Sequence, residues 1–458
     1  MYRIDFHKPS HLHFIGIGGI SMSGLAEVLL EEGFRITGSD SRRSGLTDRL
    51  LSHGADIFFP QSSENISGDI DCVIYTAAIH PDNPEFAEAK KKGIPMLTRA
   101  ELLGQMMEEY ETSIGISGTH GKTTTTSMLS HILMETDLDP TISVGGILPS
   151  IGGNIRVGGS RLFLTEACEY TNSFLELHPT IGIILNIDAD HLDFFRDLED
   201  IRHSFHIFAS QVRKEGTLVI NAGIPNFEEI TRGIGAKVLT FSASGPADFT
   251  ASDIRYDNRG CASFTCRFRG GEIGTFHLNV PGEHNVQNAL AAIAAARALQ
   301  ISPEAIGRGF ESFHGTDRRF QFKGKMNGAD VIDDYAHHPT EIRATLRTAD
   351  NYPHKTLWCV FQPHTYTRTK ALLPEFADVL STADRVVLAD IYAARETDNL
   401  GISSATLQEE IRKRGTECWY FPTFEEIEDF LRKNCSEGDL ILTVGAGDIV
   451  KVGDDLVR

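Results

Sequence analysis

Short apolar segments alternate with longer segments of mixed polarity along most of this chain. Near the N-terminus the apolar segments are His11 to Ile17, Arg35 to Ser39 and Asp71 to Thr76. Strands at this spacing, separated by stretches long enough for a helix, are typical of a parallel α/β sheet. We therefore expect a first α/β domain over residues 1–109.

A second series of strands begins at Ser113 to Ser117, which leads through a glycine-containing loop into a helix near Lys122. Two more strands, an antiparallel stretch and a closing helix are expected at Leu162 to Glu166, Ile181 to Ile187, Phe249 to Val280 and Asn285 to Leu299. The alternation restarts near Lys323, with strands at Asp330 to Asp333, Thr356 to Phe361, Arg385 to Asp390 and Leu440 to Val444. The pattern predicts three α/β domains, over residues 1–109, 110–322 and 323–458.

Length and composition agree with a multidomain globular protein. A chain of 458 residues is too long for one hydrophobic core, and 41% hydrophobic with 23% charged residues is ordinary for a folded protein. The net charge of −20 disfavours binding to nucleic acid or an anionic membrane. The sequence also lacks a membrane-length apolar run, a signal-peptide pattern and zinc-type cysteine spacing. We expect a cytoplasmic protein whose partners are neither nucleic acid nor membrane; its oligomeric state is not indicated.

The strongest chemical motif is a phosphate-binding loop between a strand and a helix. It consists of Gly118, Thr119, His120, Gly121, Lys122, Thr123 and Thr124. Free amides at a helix N-terminus favour polyphosphate, Lys122 can neutralise its charge, and the Thr123 hydroxyl can reach Mg²⁺. The loop is a shortened variant, since Ile116 stands at the first glycine position of the usual motif. The alternative is a glycine- and threonine-containing turn that only caps an ordinary helix.

A second glycine-rich loop follows the first predicted strand. It contains Gly16, Gly18 and Gly19, with Ser23 in the next helix and Asp40 at the end of the next strand. Binding of a nucleotide diphosphate at this helix N-terminus is physically reasonable. Ser21 replaces the third glycine of the dinucleotide fingerprint, and close packing of strand and helix would also explain the glycines.

Acidic and imidazole side chains follow two predicted strands of the middle domain. Glu166 ends one strand, Glu169 lies nearby, and His191 follows the other strand. A carboxylate and an imidazole beside a phosphate-binding loop could hold one or two Mg²⁺ ions, although Mg²⁺ seldom binds histidine. A purely structural role for His191 is the alternative.

Two dense polar loops occur late in the chain, each at the C-terminal end of a predicted strand. The first is Asp333 to Pro339 and the second is Gln362 to Arg368. Binding loops of α/β sheets lie at these ends. The alternative is that Asp334 and Thr367 simply cap the following helices.

Together these residues resemble the Mur ligase family over essentially the whole chain. The matching pieces occur in the family's order, at Gly118 to Thr124, Asn186 to His191, His284 to Ala289, Gly315 to Phe320 and Asp333 to Pro339. The resemblance implies a Rossmann-like N-terminal domain that holds a UDP-linked substrate and a P-loop central domain that holds ATP. It also implies a Rossmann-like C-terminal domain that closes with the incoming amino acid.

The segments His13 to Gly24, Gly38 to Asp40 and Phe361 to His364 are most similar to the alanine-adding branch of the family. That resemblance implies ligation of L-alanine to the carboxylate of UDP-N-acetylmuramate through an acyl phosphate, with ATP and Mg²⁺, in peptidoglycan precursor synthesis. A ligase that recycles a ready-made tripeptide is the nearest alternative. A Rossmann oxidoreductase or a degenerate, non-catalytic ligase fold would leave several of these motifs unexplained.

The resemblance also implies roles for individual residues. The expected catalytic set is Lys122, Glu166, His191 and Arg319, and the expected metal ligands are Thr123, Glu166 and His191. ATP is expected to contact the loop from Gly118 to Thr124 together with Asn285, Asn288 and Asp334. The UDP-linked substrate is expected at Gly16, Gly18, Gly19, Ser23 and Asp40, and the amino acid at Tyr335, His337, His364 and Arg368.

The chain departs from the family pattern in three places. The usual acidic run reads Glu166 to Thr171, with Cys168 and Thr171 in place of two carboxylates. Thr365 stands where related ligases often have arginine, which leaves Arg368 as the candidate for the alanine carboxylate. Phe205 occupies the position of the modified lysine found in the ligases for later residues, as in the alanine-adding branch.

Overall fold

The structure is a computed structural model that describes residues 2–76, 78–159, 161–192, 194–394 and 396–458. The chain divides into two compact units. The first comprises Met1–Thr250, Arg267–Ile273 and Asn288–Ser312, and the second comprises Ala251–Cys266, Gly274–Gln287 and Phe313–Arg458.

The strands are β1 (His11–Ile15), β2 (Arg35–Ser39), β3 (Asp56–Phe58), β4 (Cys72–Tyr75), β5 (Met96–Thr98), β6 (Thr112–Ser117), β7 (Thr141–Leu148), β8 (Gly153–Arg156), β9 (Leu162–Glu166), β10 (Ile181–Ile184), β11 (Thr217–Asn221), β12 (Lys237–Ser242), β13 (Phe249–Tyr256), β14 (Cys261–Phe268), β15 (Gly271–Pro281), β16 (Gln321–Met326), β17 (Ala329–Asp334), β18 (Leu357–Phe361), β19 (Arg385–Leu388), β20 (Glu417–Tyr420) and β21 (Leu440–Val444). Three of them, β2, β9 and β21, have the predicted bounds, and β10 ends before the predicted Ile187.

The helices are α1 (Ile20–Glu31), α2 (Gly45–Ser52), α3 (Pro84–Lys92), α4 (Arg99–Glu108), α5 (Lys122–Met134), α6 (Leu198–Gln211), α7 (Phe227–Ile230), α8 (His284–Ala298), α9 (Pro303–Ser312), α10 (Pro339–Asp350), α11 (Tyr366–Ala371), α12 (Leu373–Leu380), α13 (Ser404–Lys413), α14 (Phe424–Asn434) and α15 (Val450–Leu456). Short 3₁₀ turns occur at Ser63–Asn65, Pro149–Ile151 and Tyr170–Glu176. Within the described residues, no helix is both long and apolar enough to cross a bilayer.

Three sheets confirm the predicted α/β fold class. The N-terminal sheet has the order β3-β2-β1-β4-β5, and all of its pairings are parallel. The central sheet has the order β15-β14-β13-β12-β11-β10-β6-β9-β7-β8, and it is parallel from β12 to β7. In the last sheet, of order β16-β17-β21-β18-β19-β20, only β16 pairs antiparallel. The predicted domain boundaries at 109/110 and 322/323 stay predictions.

Strand order decides which loops become neighbours. In the central sheet β6 lies between β9 and β10, so the loops that follow these three strands meet at one edge. In the last sheet β21 lies between β17 and β18, which brings the two late polar loops to the same edge. The side chains predicted to bind ligands are thereby grouped at carboxyl ends of parallel strands.

One continuous set of buried side chains supports the N-terminal sheet and the part of the central sheet from β6 to β12, which belong to the first unit. Tyr110 packs against Phe163 with ring centroids 5.0 Å apart. Gly104 of α4 lies so close to the 3₁₀ turn that a Cβ there would be 2.2 Å from the carbonyl oxygen of Glu176. The glycine is therefore required by packing, and the two sheets share one core.

The last sheet is buried on both faces. Two consecutive residues of β17, Val331 and Ile332, point to opposite faces of the sheet and belong to two separate hydrophobic clusters. Such two-sided burial is usual for a parallel sheet covered by helices, and it explains why these strands read as nearly continuous apolar runs.

Candidate active site

The phosphate-binding loop joins the end of β6 to the N-terminus of α5. Gly118 and Gly121 have φ of +144° and +83°, a region that side chains rarely adopt. A Cβ on Gly121 would also lie 2.6 Å from Oδ1 of Asn288. Backbone conformation and close packing therefore both require glycine at position 121, and the backbone N–H groups at the start of α5 point along the helix axis toward the loop.

The segment after β10 holds this loop in shape. Oδ1 of Asn186 accepts a hydrogen bond from the His120 amide at 2.7 Å, and Nδ2 of Asn186 donates to the His120 carbonyl at 2.9 Å. Thr119 contributes two more contacts, from its amide to the Asn186 carbonyl and from the Asp188 amide to its hydroxyl. The sequence analysis did not predict Asn186 and Asp188 as site residues. The feature that could have indicated Asn186 is its place just after β10, the strand that neighbours β6.

Lys122 is bound inside the loop. Its ammonium group donates to the carbonyls of Gly118 and Thr119 and to both carboxylate oxygens of Glu169, the nearer at 2.9 Å. Burial lowers the pKa of Lys122, but the charge and hydrogen bond of Glu169, with contributions from Cys168 and Glu166, together outweigh this effect and raise the pKa above its ordinary value. Lys122 therefore carries its positive charge at the N-terminus of α5.

Glu169 is the carboxylate in contact with Lys122. The Glu169 side chain is 2% exposed and also lies 3.8 Å from Nε2 of His191. Glu166 instead accepts a hydrogen bond from the Gly145 amide at 2.6 Å and acts on Lys122 only at longer range. The sequence pointed to Glu169 only as a neighbour of Glu166.

His191 has a positive φ of 54° and its ring packs on Tyr170 with centroids 4.6 Å apart. Among the described residues, no group of three or more His, Cys, Asp or Glu side chains is arranged to hold a metal ion. Mg²⁺ bound with a nucleotide takes most of its ligands from phosphate oxygens and water, so one or two side chains suffice. Thr123, Glu166 and His191 fit such a partial ligand set, and their metal role stays a prediction.

The N-terminal glycine loop contacts Asp40 directly. Gly16 has a φ of +81°, and the Gly18 amide donates to Oδ2 of Asp40 at 2.9 Å. Gly19 precedes α1 without a side-chain cap, which leaves amides at this helix N-terminus available. The Ser23 hydroxyl donates to the Ile20 carbonyl within the helix, at 2.9 Å. The glycines and Asp40 thus form one loop, while Ser23 is bonded within α1.

Asp334 ends β17 and is committed to local hydrogen bonds. Its carboxylate accepts from the amides of Phe320 and Ala336, each at 2.8 Å, and from the Thr345 hydroxyl at 3.1 Å. Burial raises the pKa of Asp334 to about 6. The expected contact with ATP therefore stays a prediction, and the observed role is to fix the turn that follows Arg319.

The ring of Tyr335 lies beside two arginines. The guanidinium groups of Arg318 and Arg319 lie 4.9 and 5.2 Å from the centre of its ring, a cation–π distance. Arg318 also donates to Asp333 at 3.1 Å and to the Gly445 carbonyl at 2.6 Å. Arg319 thus lies beside an aromatic face, and its charge acts on the carboxylate of Asp334, whose pKa it lowers against the larger effect of burial.

The four residues predicted for the amino acid form one cluster. The ring of His337 lies 5.5 Å from that of Tyr335 and 5.7 Å from that of His364. A guanidinium nitrogen of Arg368 is 3.2 Å from Nδ1 of His364. Tyr392, which the sequence did not single out, stacks on His364 at 5.6 Å. The structure therefore places two imidazoles, a phenol and a guanidinium at one edge of the sheet.

The helices that follow the two late polar loops are capped by residues other than Asp334 and Thr367. His338 caps α10 and Thr365 caps α11, each accepting a hydrogen bond from the backbone of its first turn. The alternative interpretation, in which these two residues serve only to cap the helices, is therefore wrong.

The two asparagines of α8 are both buried. Asn285 donates to the Pro281 carbonyl at 2.7 Å, and Asn288 lies against Gly121 of the phosphate-binding loop. Asn288 thus borders the loop, while a contact of either residue with adenine stays a prediction.

The sheets and loops described above match known proteins along the whole chain. The Mur ligase family, catalytic domain model matches residues 11–111, the Mur ligase middle domain model residues 116–296, and the Mur ligase, glutamate ligase domain model residues 318–447. The chain therefore belongs to the Mur ligase family.

Within this family the similarity extends to particular ligases. The chain is 60% identical to the UDP-N-acetylmuramate–L-alanine ligase of Lachnospira eligens and 58% identical to that of Agathobacter rectalis, in each case over 100% of both chains. It is also similar to the solved UDP-N-acetylmuramate-alanine ligase of Thermotoga maritima, with a TM-score of 0.83, 30% identity and 98% of each chain covered. A murein peptide ligase from Psychrobacter arcticus shares the fold, with a TM-score of 0.72 at 24% identity over 98% of each chain.

Proposed function

We propose that the protein joins L-alanine to the carboxylate of UDP-N-acetylmuramate while ATP is converted to ADP and phosphate, a step of peptidoglycan precursor synthesis in the cytoplasm. The observation that carries this proposal is the charged Lys122 at the N-terminus of α5, in contact with Glu169 and close to the loop that bears His191. The relatives named above, similar over the full chain, support the choice of substrates.

The first half of the reaction is phosphoryl transfer. The N-terminus of α5 and Lys122 hold the β- and γ-phosphates, for which Lys122 must exchange its contact with Glu169 for one with phosphate. A carboxylate oxygen of the nucleotide sugar attacks the γ-phosphorus, the bond to the ADP oxygen breaks, and an acyl phosphate forms. A bound Mg²⁺ would neutralise phosphate charge, with Thr123, Glu166 and His191 as candidates to hold it.

The second half is acyl transfer to an amine. The free amine of alanine attacks the acyl carbon, the carbon–oxygen bond to phosphate breaks, and the amine loses a proton. In the second unit, the cluster of Tyr335, His337, His364 and Arg368 is the proposed amino-acid pocket. Arg368 is the candidate for the alanine carboxylate, because a guanidinium group can pair with a carboxylate through two hydrogen bonds.

Substrate binding is assigned to the remaining loops. Gly16, Gly18, Gly19 and Asp40 are proposed for the UDP group, since they form one loop at a helix N-terminus. Asn285, Asn288 and Asp334 are proposed for the adenosine part of ATP. Ser23 is kept as a proposed neighbour of the UDP site, although its hydroxyl is bonded within α1.

The test is ADP release with ATP, Mg²⁺ and UDP-N-acetylmuramate, with L-alanine, with tripeptide or with neither. Strong dependence on L-alanine and a product with the mass of the alanyl nucleotide sugar are expected. Turnover that depends on the tripeptide instead would assign the protein to recycling, and absence of turnover with every acceptor would refute the proposal. Lys122→Met serves as the inactive control.

A further inference from the structure

Arg99 lies between the N-terminal glycine loop and the end of β9, and none of the roles above uses it. It is the first residue of α4, and one guanidinium nitrogen donates to the Ser21 hydroxyl at 3.0 Å. Ser21 is in the first turn of α1, directly after the glycine loop. Arg99 thereby places a positive charge beside the loop proposed for the UDP group.

On its other side Arg99 faces the acidic end of β9. Burial lowers the pKa of Arg99, while Cys168 and Glu166 counteract this effect through their charges, which shows that both lie within electrostatic range. Glu166 makes its hydrogen bond with the Gly145 amide. Within the described chain, no carboxylate therefore forms an ion pair with Arg99.

This environment differs from that of arginines that only support the fold. Arg202, also in the first unit and largely buried, donates to the carbonyls of Pro225 and Asn226 and pairs with Glu229. Arg99 has one hydroxyl partner for five N–H donors, as far as the described residues show. A partly buried guanidinium is costly without partners, so an anionic ligand is the natural partner for the remaining donors.

We propose that Arg99 binds the carboxylate of the muramic acid group and directs it toward the phosphate-binding loop. This inference rests on the proposed function. It follows from position, because Arg99 lies between the loop assigned to the UDP group and the end of β9, and the segment after β9 contacts Lys122 through Glu169. It also follows from chemistry, because the planar guanidinium matches a carboxylate with two parallel hydrogen bonds.

The experiment measures binding without turnover. Calorimetric titrations in the absence of ATP compare UDP-N-acetylmuramate with UDP-N-acetylglucosamine, which has the same nucleotide and hexosamine ring but lacks the lactyl ether that carries the carboxylate. The proteins are the wild type, Arg99→Met, Arg99→Lys and the control Arg202→Met. We expect Arg99→Met to weaken binding of UDP-N-acetylmuramate by about tenfold or more, as for loss of a charged hydrogen-bond partner, and to leave UDP-N-acetylglucosamine unchanged. Arg99→Lys should retain part of the preference.

Two results would overturn the inference. One is equal weakening for both nucleotides, which would mean that Arg99 contacts the diphosphate or only shapes the site. The other is unchanged binding of UDP-N-acetylmuramate by both Arg99 variants. Should Arg99→Met fail to fold, as judged by circular dichroism, Arg99→Lys alone decides between these outcomes. A wild-type protein that binds neither nucleotide would instead refute the proposed function.

Discussion

The contact between Lys122 and Glu169 should affect stability and activity in separable ways. The two side chains are 15% and 2% exposed and their nearest atoms are 2.9 Å apart, so the pair is buried. Lys122→Met leaves the Glu169 carboxylate buried without its ammonium partner, which typically costs about 3–5 kcal/mol of the free energy of unfolding. Replacing both charges is often nearly neutral. We therefore expect Lys122→Met/Glu169→Gln to recover roughly 2–3 kcal/mol of the loss.

Activity should not recover in the double variant. Loss of the only side-chain ammonium in the loop removes stabilisation of the charge that develops during phosphoryl transfer, and we expect a decrease in ADP release of about a hundredfold or more in both Lys122 variants. Urea unfolding midpoints and initial rates of ADP release would be measured for the wild type, both single variants and the double variant. Lys90→Met, a substitution at an exposed lysine of α3, is the matched control.

Two results of this comparison of single and double variants would contradict the reasoning. A double variant as unstable as Lys122→Met would show that the two charges do not stabilise each other in the folded protein. Near-normal ADP release by Lys122→Met would refute the assignment of this residue to the phosphates, whatever its effect on stability.

Three further substitutions test other parts of the site. Gly121→Ala should lower both the melting temperature and the affinity for ATP, because φ is positive there and Asn288 must move; Gly45→Ala, where a Cβ meets nothing within 4 Å, should change neither. Burial raises the pKa of Asp334 from 3.8 to about 6. Between these pH values the folded protein binds more protons than the unfolded chain, so the contribution of Asp334 to stability is lost as the pH rises through this window. Asp334→Asn should remove this pH dependence, so the change in the free energy of unfolding from pH 4 to pH 7 should differ from that of the wild type by roughly 2 kcal/mol, as urea unfolding at the two pH values would show; an unchanged difference would contradict the burial argument. Arg368→Ala should raise the KM for L-alanine by about tenfold or more without changing the KM for ATP, as steady-state kinetics would show; an unchanged KM for L-alanine would exclude Arg368 from the pocket.

The sequence predicts those parts of the site that are local in the chain. The phosphate-binding loop could be recognised because strand, glycine turn and helix follow one another directly. The late polar loops could be assigned to one sheet edge because parallel strands align their carboxyl ends, although the sequence does not reveal that β21 lies between them.

The choice between Glu166 and Glu169 could not be made from the sequence. Both follow the same strand, and a turn with positive φ at Thr171 and Asn172 comes directly after them. The backbone there decides which carboxylate faces Lys122, and such conformations leave no regular pattern of polar and apolar residues. The partners of Asn186 and Arg99 were hidden for a similar reason, because each contacts a residue distant in the chain.

The core shared by the N-terminal and central sheets has a consequence for substrate selection. Because one set of buried side chains supports both sheets, the separation between the two glycine loops is set by the fold and not by the ligand. A nucleotide sugar bound at the first loop, as proposed, would present its carboxylate at a position determined by its own length. The first unit would therefore select substrates by their length. A substrate with one phosphate fewer, or with a longer acyl arm, could bind well and still place its reacting oxygen out of line with the γ-phosphorus.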